Sequence, residues 1–271
     1  MSERDRYQPG VPCWVDTLQP DPEAAMRFYE ELMGWDFTGP GAMQEQDGRY
    51  FVAQVSGRDV AGIGTQPGAV GGQPATWSTY VSVASADETA RRAGALGGTV
   101  LAGPFDVAPA GRLAVLADPT GATLCLWEPK QRQGAQLVNH PSAWAMSVLQ
   151  TPDPRAAKEF YGQLFGWSDE PVEMAGAELT LMRLTGYVGG EPEQPVPRDV
   201  VAAMVANPAG EPGWSIDFWI ADADAAAATA ARLGGQVVLA PHDRPGFRSA
   251  VLADPQGAVF SVSQLQYESN R

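Results

Sequence analysis

The chain has 271 residues, of which 44% are hydrophobic and 18% charged, and its formal net charge at pH 7 is -14. Its length exceeds the roughly 100 to 200 residues of one typical domain, and the composition excludes a disordered chain. The acidic balance repels phosphate backbones and argues against a nucleic-acid partner. It suits a neutral or cationic small molecule, although the simpler explanation is that acidity only keeps the protein soluble.

Hydropathy and cysteine usage indicate the compartment. No apolar run approaches the ~20 residues that span a bilayer, and residues 1–10 lack the apolar centre of a secretory signal. The two cysteines, Cys13 and Cys125, form no Cys-x-x-Cys pair, so reduced thiols are expected. We therefore expect a cytoplasmic protein with no membrane partner.

The first predicted unit is a strand, a helix and further strands. A strand at 13–18 precedes a helix that Asp21 caps, that Pro22 opens and that Gly34 ends. Apolar side chains recur at helical spacing within it, which predicts one inward-facing stripe. Short runs at 51–55 and 60–64, rich in β-branched residues and bounded by polar turns, predict two strands.

A second unit of the same kind follows. It begins with a strand at 78–83 and continues with a helix at 87–96 that Gly97 and Gly98 end. Strands at 113–117 and 123–127 then flank a turn that runs from Asp118 to Gly121.

The remaining chain repeats this pattern. The helix motif Asp-Pro-x-Ala-Ala-x-x-Phe-Tyr-x-x-Leu-x-Gly-Trp at 21–35 recurs without a gap at 153–167, after a strand at 143–149, and the motif Ala-Asp-Pro-x-Gly-Ala at 117–122 recurs at 253–258. The join is a polar stretch without apolar periodicity. We therefore predict a first domain at 1–129, a linker at 130–141 and a second domain at 142–271.

Each domain thus contains βαβββ twice, with the helices on one face of a curved mixed sheet and the concave face open. This arrangement and the two motifs resemble the vicinal oxygen chelate superfamily, in its tandem two-domain form. That superfamily includes glyoxalase I, extradiol dioxygenases and bleomycin-resistance proteins. The resemblance implies an α+β fold of four βαβββ units that form two tandem domains with cup-shaped sheets.

The resemblance also implies where a metal ion would bind. Metal-dependent members hold a divalent ion with His and Glu side chains on four strands of each cup. The matching positions are Trp14, Gly62, Ser78 and Cys125 in the first domain and Met146, Ala203, Ser215 and Ser261 in the second. Only Cys125 could ligate such an ion, and a register slip of one residue adds only Cys13. The two histidines, His140 and His242, lie off these strands, so we expect no metal ion and no cofactor.

Strand alternation predicts the side chains that face each cup. The ligand-binding candidates are Trp14, Asp16, Ser78, Tyr80, Cys125 and Trp127 in the first cup and Met146, Ser215, Asp217, Trp219, Ser261 and Ser263 in the second. Predicted Gly- and Pro-rich loops at 39–41, 103–105 and 241–247 add Phe105, His242 and Phe247 as rim contacts. Such a surface suits an aromatic ligand, with Asp16 or Asp217 pairing a cationic group. The alternative is that the aromatic side chains fill the cups as ordinary core.

Three functions are consistent with these features. The first is a metal-independent protein that binds and sequesters a bulky aromatic compound such as an antibiotic, as the resemblance to drug-resistance members implies. The second is a metal-independent lyase or oxygenase-type enzyme that uses Asp16, Tyr80, Asp217 or His242 for proton transfer, and the third is a metal-dependent glyoxalase or dioxygenase. No catalytic residue can be assigned from the sequence. We expect a monomer or a weak homodimer, because two fused domains can replace a dimer of single ones.

Overall fold

The computed structural model describes residues 2–43, 48–68, 74–174, 177–189 and 196–266. The elements of the first half are β1 (Ser2–Glu3), β2 (Pro12–Gln19), α1 (Pro22–Met33), β3 (Asp36–Ala42), β4 (Arg49–Val55), β5 (Arg58–Thr65), β6 (Thr76–Ser82), α2 (Ala86–Ala95), β7 (Thr99–Val107), β8 (Gly111–Ala117), β9 (Thr123–Pro129) and β10 (Leu137–Val138). Those of the second half are β11 (Trp144–Thr151), α3 (Pro154–Phe165), β12 (Trp167–Met174), β13 (Ala177–Leu184), β14 (Val200–Ala206), β15 (Gly213–Trp219), α4 (Ala223–Arg232), β16 (Gln236–Arg244), β17 (Phe247–Ala253) and β18 (Val259–Leu265).

Each repeat forms its own eight-stranded mixed sheet. The order is β3-β4-β5-β2-β6-β9-β8-β7 in the first sheet and β12-β13-β14-β11-β15-β18-β17-β16 in the second. In both, two βαβββ units meet at the antiparallel pair of their first strands, β2 with β6 and β11 with β15. The predicted α+β fold of four βαβββ units in two tandem, unclosed sheets is confirmed.

The long helices begin and end where the sequence predicts. Asp21 caps α1 by accepting a hydrogen bond from the Ala24 amide, and Gly34 ends it in the left-handed conformation with φ of 69°. Asp153 and Gly166 do the same for α3. None of the helices in the described ranges is both long and apolar enough to cross a lipid bilayer.

The two repeats share one aromatic core. Alternation turns Ser78 and Tyr80 toward the first cup and their neighbours Trp77 and Thr79 toward the other face of the sheet. That other face meets the second repeat: the Thr79 and Ser147 hydroxyls are 2.7 Å apart, and the Trp77 ring centroid is 5.1 Å from that of Phe218. The sheets therefore pack back to back, and their concave faces point away from each other.

The repeated motifs bind each other across this core. The Tyr29 hydroxyl, in the Phe-Tyr pair of the first repeat, donates to Oδ2 of Asp254, in the Asp-Pro-x-Gly turn of the second repeat, at 3.1 Å. In the opposite direction the Tyr161 hydroxyl donates to Oδ2 of Asp118 at 2.9 Å. The other oxygen of each aspartate accepts backbone amides of its own turn. Each aspartate side chain therefore stabilises its own turn and joins the two repeats.

The Gly- and Pro-rich segments predicted as loops belong to edge strands, which corrects the prediction. Residues 39–41 lie in β3, 103–105 in β7 and 241–244 in β16, and only 245–246 form a turn. Each of these strands shows a register shift against its neighbour at the segment concerned. Glycine and proline are tolerated at bulges of edge strands, where the ladder is already interrupted. Glycine and proline in these segments therefore indicate bulges in edge strands and not loops between strands.

The segment predicted as a linker packs against the first repeat. Its strand β10 pairs with β1, and Leu137 and Val138 are buried. The Ala135 amide donates to the Cys13 carbonyl at 2.8 Å, and the Gln136 amide donates to the Asp59 carbonyl at 2.7 Å. The segment therefore crosses the ends of β2 and β5.

The two aspartate oxygens that accept these cross-repeat hydrogen bonds have different numbers of donors. Mutation of the two tyrosines should therefore have unequal effects on stability. Asp254 Oδ2 also accepts from Gln19 Nε2 at 2.7 Å, whereas Tyr161 is the one described donor to Asp118 Oδ2. Tyr161→Phe leaves a buried carboxylate oxygen without a partner, so we expect it to lower the free energy of unfolding by about 2 to 3 kcal/mol. Tyr29→Phe should cost about 1 kcal/mol. Urea denaturation measures both, and equal costs would contradict this account.

Candidate functional site

The cup of the first repeat is filled by its own side chains. Tyr50, on β4, reaches across the concave face, and its hydroxyl donates to Asp16 Oδ2 at 2.9 Å. The Tyr80 hydroxyl donates to the same oxygen at 2.7 Å, and Trp14 Nε1 donates to the Tyr50 hydroxyl at 2.8 Å. Tyr50 fits because Gly62 lies beneath it, where a Cβ would overlap the Tyr50 hydroxyl.

The predicted linker covers this cluster. The Arg132 guanidinium lies 5.6 Å from the centroid of the Trp14 ring, and Arg132 forms an ion pair of 2.6 Å with Asp59. The Arg132 carbonyl accepts a hydrogen bond of 2.9 Å from Trp127 Nε1. Trp14 and Trp127 are buried as a result.

Burial perturbs the carboxyl group at the centre of the first cup. Asp16 is 1% exposed, and no described residue donates to its Oδ1. Loss of hydration raises the pKa of Asp16 to about 6, against the opposing effect of the hydrogen bonds from Tyr80 and Tyr50. Burial also raises the pKa of the nearby Cys125 thiol well above its usual value.

The cup of the second repeat is open. A cavity of about 310 Å³ occupies its concave face. Strand register explains the difference, because Leu179 lies where the first repeat has Tyr50, Val148 where it has Asp16, and Ser263 where it has Trp127. Smaller side chains at these three positions leave space that the first repeat fills.

Residues of the first repeat and of the linker complete the wall of this cavity. The N-terminal segment contributes Tyr7, Val11 and Pro12, and the linker contributes Val138. Hydrogen bonds hold the segment in place: the Tyr7 hydroxyl donates to the Ala135 carbonyl at 2.6 Å, and Trp167 Nε1 donates to the Gly10 carbonyl at 2.7 Å. The second cup is therefore complete only in the full tandem chain.

Asp217 is the acidic group of the open cup. Its Oδ1 accepts a hydrogen bond of 2.8 Å from the Ser263 hydroxyl, which lies 2.9 Å from the Ser249 hydroxyl. No described residue donates to Asp217 Oδ2. Desolvation raises the pKa of Asp217 to about 7, while the Ser263 hydrogen bond and the charge of Arg244 act to lower it. A carboxyl group in this state exchanges its proton near neutral pH.

The predicted ligand-binding residues of the two cups lie in different surroundings: those of the second cup line a cavity, and most of those of the first are buried. The cavity is lined by Met146, Ser215, Asp217, Trp219, Phe247, Ser261 and Ser263. Of the first-cup residues, Trp14, Asp16, Tyr80, Cys125 and Trp127 are buried in the packed cluster, and Ser78 is half-buried beside it. Phe105 lies in edge strand β7, opposite Leu113. The structure therefore brings a candidate ligand surface together in the second cup.

His242 was predicted at the rim of the cup because residues 241–247 were expected to form a loop. In the structure this residue lies in a strand. His242 lies in β16 opposite Ser249, and its Nδ1 is 3.0 Å from the Ala240 carbonyl. It is absent from the residues that line the cavity. The alternation of β16 is shifted by its bulges, which the sequence does not reveal.

Several lining residues were not found from the sequence. They are Tyr7, Val11, Pro12, Trp144, Leu179, Leu181, Tyr187, Arg198, Arg244 and Ser249. Leu179 and Ser249 face the cup by the same strand alternation used for the other candidates, once the register of β13 and β17 is known. No local signal exists for Tyr7, which reaches the cavity through long-range packing.

The residues at the superfamily's metal positions do not fit a divalent ion. In the part of the chain that the structure describes, no three His, Cys, Asp or Glu side chains form a group that could hold a metal ion. The second cup offers Met146, Ala203, Ser215 and Ser261, of which none provides an anionic or imidazole ligand. At the corresponding positions of the first cup the one possible ligand is Cys125, which is buried, and burial raises the pKa of its thiol and disfavours the thiolate that would bind an ion.

Sequence comparison establishes the family. A family model described as a glyoxalase-like domain matches residues 14–127 and again 146–263. The chain belongs to the glyoxalase-like domain family. The resemblance to the vicinal oxygen chelate superfamily in its tandem form is thereby confirmed.

Relatives of this glyoxalase-like chain match it over nearly their whole length. A Mycobacterium tuberculosis protein named "Putative glyoxylase CFP32" is 38% identical over 97% of this chain and 97% of its own. The "Anthracycline biosynthesis protein DnrV" of Streptomyces peucetius is 33% identical over 96% of this chain and 95% of its own.

Two solved structures show the same fold as this chain. A Mn(II)-bound glyoxalase from Novosphingobium aromaticivorans has a TM-score of 0.63 at 14% identity, covering 98% of this chain and 84% of its own. The 2,3-dioxygenase LapB from Pseudomonas sp. KL28 has a TM-score of 0.63 at 14% identity, covering 100% and 96%. At these identities the likeness concerns the fold alone.

The raised pKa of Asp16 predicts a pH dependence of stability. Its folded-state pKa, about 6, lies above its unfolded value of 3.8, so protonation favours the folded state. This stabilisation is complete below about pH 4 and is lost as the pH rises through 6. Relative to Asp16→Asn, which stays neutral, the wild type should lose about 3 kcal/mol of unfolding free energy between pH 3 and pH 8. Denaturation curves across this range measure it, and a constant difference would contradict the account.

Proposed function

We propose that the protein binds a planar aromatic small molecule in the cup of the second repeat, one molecule per chain and without a divalent metal ion. The observation that carries this proposal is the open cavity of about 310 Å³, set beside a first cup that side chains fill. That volume lies at the lower end of the range for small-molecule sites and suits a few fused rings.

The walls of the cavity favour flat ligands. Trp219 and Phe247 lie with ring centroids 6.4 Å apart at an angle of 45°, and Tyr7 and Tyr187 add further aromatic surface. Aromatic side chains offer large contact areas and pack well against other rings. Binding therefore rests on stacking and apolar burial.

The floor of the cavity favours oxygen substituents on the ligand. Ser215, Ser261 and Ser263 line it together with Asp217. Hydroxyl groups both donate and accept hydrogen bonds, and a protonated carboxyl group donates one. A ring system that carries hydroxyl and carbonyl groups satisfies this arrangement better than a plain hydrocarbon.

A named relative supports the same ligand class. The Streptomyces peucetius relative is named as an anthracycline biosynthesis protein, and anthracyclines are fused aromatic rings that bear hydroxyl and carbonyl groups. Antibiotic sequestration, as in the drug-resistance members of the superfamily, is the physiological role we propose. An anthracyclinone, the ring system without its sugar, is therefore the first ligand to test.

A second function, that of a metal-independent enzyme, is favoured by one observation. Asp217 places a carboxyl group with a pKa of about 7 in the cavity, where general acid–base catalysis works best near neutral pH. The metal positions supply no comparable set of donors for a metal-dependent glyoxalase or dioxygenase.

Transplanting the side chains that fill the first cup tests the location of the site. Leu179→Tyr combined with Ala203→Gly gives the second cup the tyrosine and glycine that close the first. We expect wild type to bind an anthracyclinone with a stoichiometry of one and the double variant to bind at least ~10-fold more weakly, a change of about 1.4 kcal/mol. Isothermal titration calorimetry measures both quantities.

The matched control is Tyr50→Leu, which places the second repeat's leucine in the first cup. It should leave the dissociation constant within about twofold, because the first cup does not hold the ligand. Unchanged binding by the Leu179→Tyr and Ala203→Gly double variant, or loss of binding in Tyr50→Leu, would overturn the assignment of the ligand to the second cup.

A further inference from the structure

The two carboxyl oxygens of Asp217 have different surroundings. Ser263 donates to its Oδ1, and the Ser249 hydroxyl is within 2.9 Å of Ser263, so one carboxyl oxygen is fixed by a chain of two hydroxyls. Oδ2 receives no hydrogen bond from any residue in the described ranges and belongs to a cavity-lining side chain. One oxygen orients the group and the other is left for a ligand.

Arg244 gives the cavity a positive charge near this carboxyl group. Within the described part of the chain Arg244 forms no ion pair, although it lines the cavity and its charge acts on Asp217. Both side chains line the same cavity, so a ligand bound there can contact both. A carboxylate and a guanidinium facing one ligand are suited to removing a proton and stabilising the oxyanion that forms.

We propose that Asp217 is a catalytic acid–base residue that interconverts the keto and enol forms of a benzo-fused cyclic ketone bound in the second cup. This inference rests on the proposed binding function. Asp217 Oδ2 takes a proton from the carbon next to the carbonyl group. The C–H electron pair forms a C=C bond, and the carbonyl π electrons move to oxygen, where Arg244 stabilises the enolate. Return of the proton to oxygen gives the enol, and its return to carbon gives back the ketone, so no oxidant or reductant is consumed.

The first repeat provides an internal contrast. Tyr80 stands where the second repeat has Asp217, and the first cup's own carboxylate, Asp16, is buried beneath Tyr50 and Tyr80. Asp16 is 1% exposed and its Oδ2 already accepts two tyrosine hydroxyls, so a substrate does not reach it. Asp16→Asn is therefore a control for the loss of a buried carboxyl group.

Hydrogen–deuterium exchange tests the proposal with a defined probe. The probe is beta-tetralone, a benzo-fused cyclic ketone, dissolved in D2O, and proton NMR follows the loss of its benzylic methylene signal. Wild-type protein should accelerate exchange above the buffer rate, and Asp217→Asn should lower the accelerated rate at least ~100-fold. Asp16→Asn should match the wild type. Calorimetric titration of the same ketone reports binding to each variant.

The pH profile separates a catalytic role from a structural one. The charged and titratable side chains that line the cavity with Asp217 are Arg244, Arg198, Tyr7 and Tyr187, and the charge of Arg244 acts on Asp217. The accelerated rate should rise with pH to a plateau, with a midpoint near 7, because the base must be ionised. Arg244→Gln should lower the plateau and move the midpoint upward, because a positive charge that favours the carboxylate is removed.

The outcomes distinguish the two proposals. Binding of the ketone without accelerated exchange, or exchange that survives Asp217→Asn, overturns the catalytic role and leaves the binding function standing. Absence of binding by both the ketone and an anthracyclinone overturns both. Accelerated exchange that depends on Asp217 and shows the expected profile supports the inference. Unfolding curves at pH 6, where Asn mimics the protonated carboxyl group, verify that Asp217→Asn is folded.

Discussion

A buried carboxylate in each repeat accepts a tyrosine hydroxyl from the other repeat, and the arrangement of the whole molecule depends on this reciprocal pair. Asp118 and Asp254 lie in tight turns and are almost completely buried. A carboxylate at such a position is costly unless its oxygens are hydrogen-bonded. The turn amides satisfy one oxygen, and Tyr161 or Tyr29 satisfies the other. Each repeat can therefore bury its turn only when the other repeat supplies the donor.

This constraint explains why the sequence repeat is strongest on one side of the molecule. The helix motif and the turn motif both contribute to the shared core, so similar residues are required twice. The concave faces carry no such requirement, and they differ: Tyr50, Asp16 and Trp127 fill one cup, while Leu179, Val148 and Ser263 leave the other open. The repeats are alike where they touch and unlike where a ligand is proposed to bind.

Much of the fold followed from the sequence, because caps, alternation and the repeat are local signals. Asp21, Pro22 and Gly34 gave the bounds of the first helix, and the same residue types did so for the third. The edge strands could not be predicted, since their glycines and prolines indicate turns unless a neighbouring strand is known. The candidate site was half predictable. Alternation found the face of each cup, but whether Tyr50 closes its cup depends on register across β4 and β5 and on the absence of a side chain at Gly62.

Changes in the N-terminal segment can alter the ligand-binding cavity of this protein. Tyr7, Val11 and Pro12 precede or open the first sheet, yet they border the cavity of the second. Substitution at Tyr7 changes the shape of the cavity without altering any strand of the sheet that forms its floor. Natural variation in the first dozen residues can thus change ligand preference without changing the shared core. A second repeat expressed by itself would lack part of its own ligand-binding surface.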